Sequence, residues 1–226
     1  MIVPLLPIGL LGAFHGLDTV SFPQAMLSRP LIAATTGGAL MGSAFSGLLV
    51  GAALELIALE TLPFGASRYP EWGSASVVGG GLFAIAPSHP PGAMALAMIA
   101  ALATAWFGGW TMVKLRQLNA RWAAHSRDAL DAGARGTVIG LQLRGMTADL
   151  IRGFLLTIMA WSVFSPLMQV SLARWTFDAR ITRAITVAVA TSVAVAAAWK
   201  LYHGSMPARW AFAAGLGLSV ALVALR

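Results

Sequence analysis

From Leu31 to Leu59 the chain runs through aliphatic and small residues and meets no charge before Glu55. The rest of the sequence has the same bias. Of its 226 residues 58% are hydrophobic and only 10% charged, with a mean hydropathy of +0.78, whereas soluble domains average about 25% charged. So few charges cannot coat a water-facing surface. The bilayer is the solvent this composition fits, and it admits helices or closed barrels only.

The net charge of +7 would by itself suit a nucleic-acid binder. Its distribution argues against that class. Lys114, Arg116, Arg121, Arg127, Arg135 and Arg144 fall in one stretch between long apolar runs, where membrane proteins keep their cytoplasmic positives. There is no cysteine, so disulfides and thiolate metal sites are excluded, and no metal or cofactor is expected. Met1–Leu11 has no basic n-region and contains Pro4 and Pro7; it is expected to belong to the mature protein rather than to a secretory signal.

The apolar runs are unequal. Ile2–Phe14 and Ser74–Ala86, the latter broken by Gly79-Gly80-Gly81, are shorter than the roughly 20 helical residues a crossing needs. Pro87-Ser-His-Pro-Pro-Gly92 ends the second sharply. Ala93–Val113, Met146–Val170, Ile185–Leu201 and Pro207–Leu225 are spanning candidates. Lys114–Arg135, where basic residues alternate with Leu118, Trp122, Ala123 and Leu130, is expected to lie as a surface helix along the headgroups. The expected fold is all-α and polytopic, with full-length spanning helices plus short re-entrant or discontinuous ones. It forms one membrane domain over 1–226: a half with broken helices (1–113), a basic cytoplasmic segment (114–144) and C-terminal spanning helices (145–226). Broken helices at membrane depth survive only where protein or water satisfies their backbone, and transporters bind substrates at such places.

Within the long run, Gly38 and Gly42, then Gly47 and Gly51, are spaced for close helix packing. Glu55 follows on the same helical face as Gly47 and Gly51. An acid so placed marks a functional site by default, or else serves as a structural partner of an amide or an arginine. Glu60 precedes Pro63, where the helix is expected to end or bend. Arg68 and Glu71, flanking Tyr69-Pro70, are expected to form a solvated loop pair, or else to gate or contact a sugar.

Asp18, Arg29-Pro-Leu-Ile-Ala33, Gly42, Gly47, Gly51-Ala-Ala-Leu-Glu-Leu-Ile-Ala-Leu59, Phe64-Gly-Ala66 and Pro70-Glu71 follow one another in a pattern. Over roughly residues 16 to 90 it resembles the N-terminal signature of IIC proteins of the mannose/fructose/sorbose family of the bacterial phosphotransferase system. The chain departs from that signature at Glu60, where the family commonly has Gly, and at Ser43, where an Asp often follows the glycine. Arg68-Tyr69 replaces small residues, and Pro-Glu replaces Pro-Asp.

The resemblance implies a multi-pass protein of the bacterial inner membrane that forms a sugar path with a IID-like membrane subunit, in an oligomer. A separate IIB phosphocarrier would phosphorylate the hexose-type sugar. Sugar hydroxyls need a few fixed polar groups in an apolar pocket. Glu55 is the first choice for an acceptor, with Glu60, Ser67 and Trp72 behind it. His15, His89, His125 and His203 stand isolated and no phosphate-binding loop is present, so no catalytic residue is assigned. Two other readings stand beside this one: a scaffold homologue that has lost transport, and an intramembrane serine hydrolase. For the hydrolase, Gly65-Ala-Ser67 resembles the rhomboid serine step, but Arg68 replaces the usual glycine and no histidine has a partner spacing.

Overall fold

The computed structural model describes residues 5–59, 61, 68–86, 91–174, 178–202 and 205–224. Among these residues every regular element is a helix. Four short helices come first: α1 (Leu5–Asp18), α2 (Pro30–Leu40), α3 (Ala44–Ala58) and α4 (Trp72–Ala84). Two long ones follow, α5 (Pro91–His125) and α7 (Arg135–Ala173), joined through the short α6 (Arg127–Asp131). The chain then forms α8 (Ala179–Tyr202), packed on α3 and α5, and α9 (Met206–Ala224), packed on α8.

The run Leu31–Leu59, continuous in hydropathy, is a helical hairpin. Pro30 opens α2 at the position where a missing N–H costs nothing. Gly42, with φ +102°, closes it. Ser43 N–H reaches back to Gly38 O (2.8 Å) and Gly42 N–H to Ala39 O (3.1 Å), the pairing of a Schellman end. Ser43 then caps α3, its hydroxyl accepting from Ser46 N–H at 3.2 Å. Gly42 therefore makes the turn, and a Cβ on it would meet nothing within 4 Å. The other three glycines of the predicted stripe lie between α2 and α3. A Cβ on Gly38 would stand 2.7 Å from Gly47 Cα, and one on Gly51 2.8 Å from the Pro30 carbonyl.

α4 is buried from Trp72 to Phe83 and touches α1, α2, α3, α5 and α7. Glycine makes this possible. A Cβ on Gly80 would collide with the Ala34 carbonyl, and one on Gly73 with the carbonyl of His15. Around α4 lies a core of Ile8, Val50, Leu54, Val77, Val78 and Leu82, none with any exposed area.

The stretch Lys114–Arg135 does not lie flat as a separate surface helix. Residues 114–125 prolong α5, since Leu, Arg, Gln and Ala there are good helix formers and nothing interrupts them. Gly133, at φ +70°, and Ala134 supply the turn into α7. Among the described residues, two stretches are both long and apolar enough to cross a membrane, Gly92–His125 and Arg135–Ala173. At ~1.5 Å per residue the long helices reach about 52 and 58 Å, well beyond a ~30 Å hydrocarbon core. Their basic ends thus form a stem. The opposite requirement holds outside: Leu6, Phe45, Trp106 and Leu155 are each about 60% exposed or more, a coat suited to lipid or protein rather than water.

Candidate polar site at the helix ends

The last residues of α1 and α3 and the first of α2 and α4 converge at one end of the short-helix layer. Each of these ends brings polar groups with it. Asp18, at the end of α1, is buried and accepts N–H bonds from Ala25 and Ser28, both at 2.8 Å. One carboxylate thereby folds the connection between α1 and α2 into a compact loop. In that loop Gln24 and Met26 take positive φ (59° and 62°), and the Gln24 amide donates to Val20 O at 2.7 Å.

Glu55, near the end of α3, meets the start of α2. Its Oε1 accepts from Arg29 Nε at 2.6 Å and also from Arg29 Nη2. Its Oε2 accepts from Leu31 N–H at 3.1 Å, one of the unpaired donors that begin every helix. Glu55 is thus engaged by an arginine and an amide of its own chain. Arg29 in turn stands at the wall of a cavity of about 330 Å³ that also touches Asp18, Thr19, Ser28, Tyr69 and Trp72. Trp72 closes one side, its indole N–H donating to Thr61 Oγ at 2.7 Å. The hydroxyl of Thr19 is buried and makes no hydrogen bond within the chain. Of the sequence-predicted sugar contacts, Trp72 borders the cavity, and Glu55 stands behind Arg29. Glu60 and Ser67 lie outside the described residues, as do His89 and His203.

The pair expected from Arg68 and Glu71 does not form. Glu71 is fully buried and caps α4 through Ser74 N–H (3.1 Å), while its own N–H donates to Ala105 O of α5 (2.9 Å). Arg68 instead donates to Trp106 O (3.2 Å) and covers the Trp106 ring at 4.7 Å. His15 is not isolated either. Buried on α1, it bridges Leu27 O (2.7 Å) and Thr36 Oγ (2.9 Å) through its two nitrogens.

A second polar group escaped the sequence reading. Asp149 and Arg152 pair inside α7 with side chains 2% and 9% exposed, Arg152 Nε donating to Asp149 Oδ1 at 2.9 Å. Ser21 of the loop donates to Asp149 Oδ2 at 2.8 Å, and Arg152 Nη1 lies 3.4 Å from Thr111 Oγ on α5. An Asp-x-x-Arg step within an apolar run was the available clue, because charges at membrane depth are costly enough to need a reason.

Residues 2–199 match the profile of a family described as the sorbose-specific IIC component of the phosphotransferase system. The chain belongs to that family. This IIC protein is therefore a membrane component of a phosphotransferase sugar permease. Its fold recurs in solved structures. One, described as a membrane protein, is 20% identical with a TM-score of 0.71, covering 100% of this chain and 91% of the other. Another is a chain of the mannose transporter ManYZ in complex with microcin E492, by cryo-electron microscopy: 20% identical, TM-score 0.60, covering 98% of this chain and 92% of the other. At that identity the likeness concerns the fold. No curated protein sequence matches the chain.

Proposed function

We propose that this IIC protein binds a hexose-type sugar in the cavity at the helix ends and carries it across the bacterial inner membrane, where the chain crosses several times. In this reading it works beside a IID-like membrane subunit, within an oligomer, and a separate IIB protein phosphorylates the sugar. The mannose transporter ManYZ, which has the same fold, supports a sugar and a second membrane subunit.

The observation that carries the proposal is the cavity itself. Helices too short to cross end around it, and it sets an indole and a phenol beside a guanidinium and a carboxylate. Aromatic faces pack on the apolar face of a sugar, and a few fixed polar groups select its hydroxyls. In this arrangement Arg29 donates to the sugar, and Glu55 holds Arg29 in place through two hydrogen bonds. The test is calorimetric titration of hexoses into the purified membrane complex, with Trp72→Phe for comparison. That change removes the indole N–H bond to Thr61 and part of the stacking surface. An intact complex that binds about tenfold more weakly, some 1.4 kcal/mol, supports the site. Unchanged affinity removes the cavity from the sugar path.

A further inference from the structure

Next to the first cavity is a second, of about 370 Å³, between α5 and α7 where the stem begins. Its wall includes Ser21, Arg116, Asn119, Trp122, Gln142 and Asp149. The two cavities share one partition. Asp18 and Thr19 face the first, and the next two residues, Val20 and Ser21, face the second. Beside them Tyr69 borders the first and Arg116 the second, with the guanidinium 4.8 Å above the phenol ring. Ser21 is tied to α7 through its 2.8 Å bond to Asp149, while its N–H stays on Leu17 O of α1 at 3.0 Å.

We propose that the second cavity is a transit chamber for the sugar, joined to the first when Ser21 releases Asp149. The inference rests on the reading of the first cavity as the sugar site. The chamber's chemistry suits a neutral polyol. Its wall carries one cation and one anion, amide groups on Asn119 and Gln142, and the Trp122 ring. The Asn119 carbonyl oxygen is buried without a donor in the chain, an acceptor left for a hydroxyl. A buried polar atom of that kind destabilises the fold until something donates to it. The latch has an anchored partner, since Asp149 is held on its other side by Arg152. The loop bearing Ser21 is held at its far end by Asp18 and at its start by the Ser21 N–H on Leu17 O, so the backbone is fixed and the hydroxyl of Ser21 is the contact that can be released.

The absence of cysteine makes a direct test available. Single Gln142→Cys (second cavity) and Ser28→Cys (first cavity) variants are assembled with the partner subunit in membrane vesicles whose stem side faces outward. An impermeant maleimide is then added with and without the transported hexose. At a sugar concentration ten times its Kd, labelling at a covered position falls about elevenfold by mass action. Protection at both positions supports the chamber. Protection at Ser28→Cys alone leaves the sugar site intact and overturns the chamber. Protection at Gln142→Cys alone removes the first cavity as the sugar site and overturns the chamber as a compartment joined to it, and protection at neither overturns both. For the latch, Ser21→Ala added to Ser28→Cys should raise labelling from the stem side severalfold without sugar. An unchanged rate in a normally assembled complex overturns the latch.

Discussion

Arg29 and Glu55 stand 26 residues apart in the chain and meet as an ion pair that ties the start of α2 to the end of α3. Both side chains keep some exposure, 29% and 20%, so solvent screens part of the attraction. Glu55→Gln should therefore cost about 1–2 kcal/mol of stability and lower hexose affinity about tenfold, because Arg29 loses its alignment. Paired with Arg29→Gln, it should cost little more than either change alone. Thermal unfolding and calorimetry on the two single variants and the double variant measure the coupling; fully additive losses would mean that the pair does not act as a unit.

Glycine tolerance should divide sharply by position. Gly47→Ala presses a methyl group into the Ala34 carbonyl, as does Gly80→Ala from the other side. Each should lower the unfolding midpoint or prevent assembly, with a cost of at least 1–3 kcal/mol, the usual scale for overpacking. Gly140→Ala is the contrast. It sits inside α7 with open space around it, and alanine there should be neutral or stabilising by about 0.5–1 kcal/mol. Equal behaviour of the three in a thermal-shift series would contradict the close backbone contacts.

Asp149→Asn removes the counter-charge from a buried guanidinium. Truncating one partner of such a pair usually costs about 3–5 kcal/mol, so the folded complex should be recovered poorly on size exclusion. Adding Arg152→Gln removes the stranded charge and should restore much of the yield. If the double variant is no better than the single one, the damage comes from the bond to Ser21 rather than from charge.

The stem gives a prediction of side. Its six Lys and Arg between 114 and 144, against Asp128 and Asp131, favour the cytoplasm. An Arg121→Cys variant should resist an impermeant thiol reagent outside intact cells and react once the cells are opened. Labelling in intact cells would invert the orientation, and with it the face on which the second cavity opens.

Much of this architecture was legible because hydropathy and prolines report on length and interruption. The long run opening at Leu31 marked the start of α2, and the short runs marked α1 and α4. The hairpin was not legible in hydropathy, since Met41-Gly42-Ser43 is as apolar or small as its neighbours. Only the glycine–serine step, a helix end followed by a cap, carried it. The partners of the charged residues were hidden for another reason. Glu55 meets Arg29 and Ser21 meets Asp149 only because four helices stop at one level, and spacing along the chain does not encode that convergence. Glu71 shows the limit most plainly. A polar, turn-rich neighbourhood predicts water, yet the carboxylate is the cap of the most buried helix in the fold.

Helices of 11 to 15 residues make an insulating layer about 17–23 Å deep, thinner than the ~30 Å of lipid around it. Where water follows the cavity up to the helix ends, an electrical potential across the membrane falls over that shorter distance, so its field is about 1.5 times steeper there than in the surrounding bilayer. A neutral hexose does no electrical work in crossing it. Asp18 and Arg29 sit at its edge, at the two ends of the loop from which Ser21 reaches Asp149. Displacement of either charge along that field is worth up to about 2.3 kcal/mol per 100 mV for a full crossing. Under the proposed function, an energised membrane would bias the loop's position even while a neutral cargo feels no voltage at all.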